Sequence, residues 1–187
     1  MIHSVCFTVV LDTNVIYPVI IRDILFWFAY YELYTPKWSE HIFDEWKRVT
    51  IEKGVSEEEA NKRISKANSA IPDALVKNYK GLIGHLELPD KDDCHVLAAA
   101  IKTNANLIVT NNIKDFPEEY LQSFSLSAKT PDDFLTDIID LNEEQAVAAF
   151  KEMVLNKKNP KQDEFEVLNL LRNAGLKDTA DNLHALL

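Results

Sequence analysis

The chain has 187 residues, 47% of them hydrophobic and 27% charged, with a net charge of −10 at pH 7. That length fits one domain with an appendage, and the composition fits a globular chain rather than a disordered one. The charge excludes a broad basic surface for gripping nucleic acid, though not a nuclease whose metal ions supply positive charge locally. Two cysteines, Cys6 and Cys94, are too few for a disulfide framework and fit a reducing compartment. No stretch approaches the roughly 18 to 20 apolar residues of a membrane span. The start has no positive region ahead of its apolar run. The expectation is a soluble, cytoplasmic protein.

Residues 6–11 read as the first strand, an apolar run of the kind found in buried parallel sheets. It ends in Asp12-Thr13-Asn14, a carboxylate, a hydroxyl and an amide in a row. In open α/β sheets ligands bind beyond the carboxyl ends of strands, which makes Asp12 a candidate metal ligand. After Pro18, helical spacing of Ile24, Leu25, Phe28, Ala29 and Leu33 predicts a helix over 22–33. A short strand is expected around Tyr34-Thr35-Pro36. A second helix is expected over 38–52, with Ser39 as N-cap and Ile42, Phe43, Trp46 and Val49 inward. Glu45 borders that apolar stripe. It either points toward what the stripe covers or pairs with Lys47 or Arg48 on the surface.

Ser56 and Glu59 form a capping-box pattern ahead of a polar helix with Ala60, Ile64 and Ala67 inward, broken at Pro72. Residues 74–79 are expected to continue helically, and 82–88 to be loop or short strand. Then Pro89-Asp90-Lys91-Asp92-Asp93 runs into Cys94-His95-Val96-Leu97-Ala98-Ala99-Ala100. The helix is apolar nearly all round and should be buried. The acids can cap it, but one cap needs one Asp, and close carboxylates repel unless a cation lies between them. Leu107-Ile108-Val109-Thr110 is a second buried strand, again ending in polar residues, Asn111, Asn112 and Asp115. Residues 125–128 read as a last edge strand. Thr130-Pro131-Asp132-Asp133 opens a helical remainder. There Asn142 caps a helix to about 156, Phe165, Leu168 and Leu171 face inward on the next, and Gly175 is a C′ residue. Residues 131–187 hold 12 acidic and 6 basic side chains and no obvious catalytic cluster.

Four of these stretches together resemble the PIN-domain nucleases. They are Leu11-Asp12-Thr13-Asn14-Val15, Glu45 within 41–46, Asp92 to Ala100, and Val109 to Phe116. The chain looks closest to the bacterial VapC-like toxin branch with a helical C-terminal extension. The resemblance implies a three-layer α/β/α fold with a central parallel sheet over 1–130, and a helical extension over 131–187. It also implies metal-dependent endoribonuclease activity from an acidic quartet, Asp12, Glu45, Asp93 and Asp115, with Asp92 as an adjacent candidate. Thr110, with Asn14 and Asn112, would orient a water or the first Asp. Two departures stand out. The last-turn acid is often found at the position of Asn112, and many members carry Arg where this chain has Cys94.

Phosphodiester hydrolysis needs an activated water and a stabilised leaving oxygen, and Mg²⁺ or Mn²⁺ held by carboxylates supplies both. The five histidines show no zinc spacing with the cysteines, and His95 reads as a packed or hydrogen-bonded helix residue. Arg22, Lys37, Arg48, Lys91 and Lys114 are candidate RNA phosphate contacts, each with a solvated surface charge as the alternative. A haloacid-dehalogenase-like phosphatase using Asp12 as nucleophile is one competing reading, weakened by Asn14 where that chemistry wants a second Asp. A non-catalytic scaffold that binds RNA or protein is another. The family implies RNA as substrate and an antitoxin with a basic toxin-binding segment as partner. A homodimer stays open.

Overall fold

The computed structural model describes residues 7–187, so Cys6 of the expected first strand lies outside them. The chain folds into two compact units. One is built from residues up to 17 together with 34–129, the other from 18–33 together with 130–187. In chain order the elements begin with β1 (Thr8–Leu11), α1 (Thr13–Ile16), α2 (Val19–Tyr30), β2 (Thr35–Ser39), α3 (Glu40–Glu52) and α4 (Glu57–Ala70). Next come β3 (Leu75–Val76), α5 (Lys80–Ile83), α6 (Cys94–Lys102), β4 (Leu107–Val109), a 3-10 turn (Ile113–Asp115), α7 (Glu118–Gln122) and β5 (Ser127–Lys129). The chain ends with α8 (Pro131–Leu141), α9 (Glu143–Leu155), α10 (Glu164–Asn173) and α11 (Lys177–Leu186).

In the first unit the five strands form one parallel sheet in the order β3-β2-β1-β4-β5. The chain builds outward from β1 on one side and then turns back to the other. The reversal between β1 and β4 is where α/β sheets open a crevice for ligands. Val9 to Leu11 and Ile108 to Val109 are wholly inaccessible, which is why both read as unbroken apolar runs. Leu11 is level with Val109, so Asp12 and Thr110 leave adjacent strands side by side. α6 packs on β1, β2 and β4. Its Ala98, Ala99 and Ala100 have zero exposure, and their small side chains let the helix approach the strands closely.

Several local expectations are corrected. Residues 74–79 are not helical: Leu75 and Val76 pair with Trp38 and Ser39 as an edge strand, entered through Asp73 at φ 66°. The short helix is α5 instead, and after it residues 84–88 are turn and loop, one of the two forms expected for 82–88. The Ser56 hydroxyl accepts from the Glu59 N–H, but Glu59 turns its carboxylate to Arg63 rather than closing the box. The helix expected over 22–33 is Val19–Tyr30, starting directly after Pro18 and ending before Leu33, and the strand expected at 34–36 runs from Thr35 to Ser39.

The second unit gathers α2 and the four C-terminal helices. Residues 18–33, expected inside a 1–130 domain, pack here: Ile21, Ile24, Leu25, Phe28 and Ala29 are buried, and α2 lies against α9 and α10. α8 opens on the Thr130 cap with Pro131 in its first turn. Its Asp132 carboxylate accepts from the Thr179 hydroxyl (2.7 Å) and the Thr179 and Asp178 N–H groups, tying the start of α11 to α8. α10 carries a closed capping box between Asp163 and Glu166. Phe165 is corrected: it is 58% exposed, its ring edge-on to His184, while Val167, Leu168 and Leu171 face inward. No helix among the described residues is long and apolar enough to cross a membrane.

Candidate active site

The geometry starts at the ends of β1 and β4. Asp12 is only 3% exposed, and both its oxygens are occupied. Oδ1 accepts from the Thr13 N–H at 2.5 Å, and Oδ2 accepts from Asn14 Nδ2 at 2.6 Å and from the Thr110 hydroxyl at 2.7 Å. Asn14 and Thr110 are themselves fixed. Asn14 Nδ2 also reaches Thr110 Oγ1 (2.9 Å), the Asn112 N–H donates to that hydroxyl (3.0 Å), and the Asn111 N–H donates to Asn14 Oδ1 (2.9 Å). The polar residues after both strands thus knit two strand ends around one carboxylate. Burial raises the pKa of Asp12 and outweighs the hydrogen bonds from Thr110 and Thr13, with the Glu45 charge adding to the rise.

Asp93 stands at the N-cap position of α6 but caps nothing. Its Oδ2 is buried without a hydrogen-bond partner. Burial first, then the charges of Asp12, Asp90 and Asp115, push its pKa up to about 7. Three of the four expected acids are therefore electrostatically coupled around one orphaned oxygen. Asp90 was not anticipated. The Asp90 charge acts on Asp93; Asp90 Oδ1 accepts the Asp92 N–H, and Asp92 itself is exposed. The Asp90–Asp93 spacing of one turn was the signal available.

Glu45 turns inward. Its Oε2 accepts from the Thr13 hydroxyl at 2.5 Å, and its Oε1 lies 3.4 Å from His95 Nε2. Of the two surface partners considered for it, Lys47 pairs with Glu57 instead. Burial opposes ionisation of Glu45, but the hydrogen bonds from His95 and Thr13 and the charges of His95 and Arg48 hold its pKa below the usual range.

Among the candidate RNA contacts, Arg48 is the cation whose charge bears on Glu45. Lys37 is engaged with the Asp73 carbonyl. Lys91 and Lys114 are exposed, and Lys114 adjoins Asp115 in the 3-10 turn. Arg22 lies on α2, in the second unit.

Among the described residues no three His, Cys, Asp or Glu side chains are grouped to hold a metal ion as they stand. Mg²⁺ keeps several waters and takes one or two carboxylates. A buried, partnerless carboxylate oxygen under the charge of other acids fits such an ion.

The PIN domain family model matches residues 8–114, and the model of the VapC50 C-terminal domain matches residues 131–185. A Mycobacterium tuberculosis protein named "Putative ribonuclease VapC50" is 40% identical over 94 residues, covering 48% of this chain and 55% of that protein. The match thus spans about half the length of that curated relative. No solved structure matches the chain.

Proposed function

The chain belongs to the PIN-domain family, and on that premise we propose that it is a divalent-metal-dependent endoribonuclease, the toxin of a type II toxin-antitoxin system. The observation that carries the reading is Asp93, a half-buried acid with one orphaned oxygen, pushed to about 7 by burial and by Asp12, Asp90 and Asp115. A group so placed is at odds with its surroundings unless a cation joins it.

In this reading Asp12 and Asp93 hold Mg²⁺ or Mn²⁺, and Glu45 and Asp115 act through water or toward a second ion. When bound, such an ion activates a water and neutralises charge on the scissile phosphate and leaving oxygen. The chain's own residues fix the acids. Thr110 and Asn14 lock the Asp12 carboxylate in one rotamer, so no side-chain motion is needed when substrate arrives. Arg48 and Lys114 contact RNA phosphates. The residue two places after Asp12 is Asn14, an amide bonded to the Asp12 carboxylate, which weighs against the phosphatase reading.

At a net charge of −10, an antitoxin with a basic segment is the complementary partner for the acidic residues of the candidate site. The test replaces Asp12 or Asp93 with Asn and follows total-RNA cleavage with Mg²⁺ or Mn²⁺. Cleavage should fall at least about 100-fold, the upper end of what losing a group behind a metal ligand costs. Undiminished cleavage would overturn the mechanism. RNA binding in EDTA with no metal-dependent cleavage would favour the scaffold.

A further inference from the structure

We propose that Thr13 and His95 are positioning residues that clamp the two oxygens of Glu45 and so set its place relative to Asp12 and Asp93. The inference rests on the nuclease reading for its catalytic consequence, but the clamp itself rests on geometry. Glu45 has a long side chain whose freedom must be lost to hold one position. It is held from two other elements, at Oε2 by the Thr13 hydroxyl of α1 (2.5 Å) and at Oε1 by His95 Nε2 of α6 (3.4 Å).

Both clamping residues also belong to the other acids' backbone. The Thr13 N–H donates to Asp12 Oδ1, so one residue addresses two carboxylates, through its amide and through its hydroxyl. The Thr13 hydroxyl also lies 3.3 Å from the Ile42 carbonyl, one turn ahead of Glu45 on α3. His95 sits two residues after Asp93, in the first turn of α6. The acids repel one another, so their spacing needs fixed partners.

The His95 ring is held edge-on against His41 (centroids 5.2 Å apart), which meets Tyr79 in the same way at 5.7 Å. The Tyr79 hydroxyl in turn accepts the His41 backbone N–H. His95 is only 8% exposed, and its Nδ1 has no hydrogen-bond partner. A histidine kept simply to fill the core would not leave one ring nitrogen buried and unsatisfied while aiming the other at a carboxylate.

The experiment is a double-mutant cycle on RNA cleavage with Mn²⁺. His95→Leu should lower kcat about 10- to 100-fold, the range for losing a partner that orients a metal-site group, with KM nearly unchanged. His95→Gln, which can still donate, should recover most of it. In a Glu45→Gln background, His95→Leu should add no further loss. An equal loss in both backgrounds, or no rescue by Gln, overturns the proposal. A second readout needs no activity: the Glu45 side-chain carboxyl ¹³C resonance, recorded in EDTA. It should move in His95→Leu and Thr13→Val and return in His95→Gln and Thr13→Ser, and an unmoved resonance overturns the clamp. If the wild-type chain cleaves no RNA, the nuclease reading falls and the resonance decides the clamp alone. Thermal melting checks that each variant folds, and if His95→Leu does not, Thr13→Val carries the same cycle.

Discussion

Asp93 occupies the place where a helix asks for a cap, and gives none. Its pKa is raised in the folded chain, from an ordinary value near 3.8 to about 7. The sign follows directly. Below the unfolded value both states are protonated and the group costs nothing; as pH rises through 7 the folded chain must ionise a crowded acid, and stability is lost. Asp93→Asn should therefore raise the melting temperature in EDTA at pH 8, with the gain fading toward pH 4. Mn²⁺ should raise that of the wild-type chain at pH 8 and hardly at pH 5. Flat difference curves in thermal scans across that range would contradict both. Thr110→Val removes a hydroxyl that serves Asp12, Asn14 and the Asn112 N–H. It should destabilise by about 1–3 kcal/mol in urea titrations, the cost of stranding buried polar partners. Asp12 and Thr110 were legible because each directly follows a buried strand, where local pattern and site coincide. Asp90, Thr13 and the role of His95 were not. Their partners lie on other turns or elements, 32 positions away for Thr13 and Glu45, and no local pattern encodes that distance.

α3 shows how one element ties strand to site. Ser39 ends β2, has zero exposure, and its hydroxyl accepts the Ile42 N–H to start the helix that carries Glu45. Ser39→Ala should cost about 1 kcal/mol in denaturant unfolding, as lost caps do. α6 makes the opposite demand. Ala99 has zero exposure, and Ala99→Leu should cost about 1–3 kcal/mol through overpacking. Both helices were readable, one from its cap and amphipathic stripe, the other from its unbroken apolar run. β3 was not. Two residues carry no periodicity, and Leu75 and Val76 are strand only because β2 offers them an edge. α5 is likewise a single turn, too short for its spacing to declare itself.

For the chain as a whole, the helical remainder expected after Thr130-Pro131 opens on that cap and proline, as α8 does. The allegiance of α2 was invisible, since an apolar stripe says that a helix packs but not against what. Its Ile21, Ile24, Leu25 and Phe28 are buried in the second unit, each worth about 1.5–3 kcal/mol when covered. A chain cut after residue 130 should aggregate, as followed by sedimentation, and adding 131–187 in trans should restore solubility. Full solubility of the cut chain would refute this. The same interleaving sets a clock on the ribosome. About 110 residues separate the end of α2 from the start of α9, roughly 6 to 20 seconds of synthesis at about 5–20 residues per second. Every acid of the candidate site is translated before α2 meets its cover. The nascent chain thus carries the whole acidic set while an apolar helix still waits bare, and slow translation through α8 to α10 lengthens its most vulnerable moment.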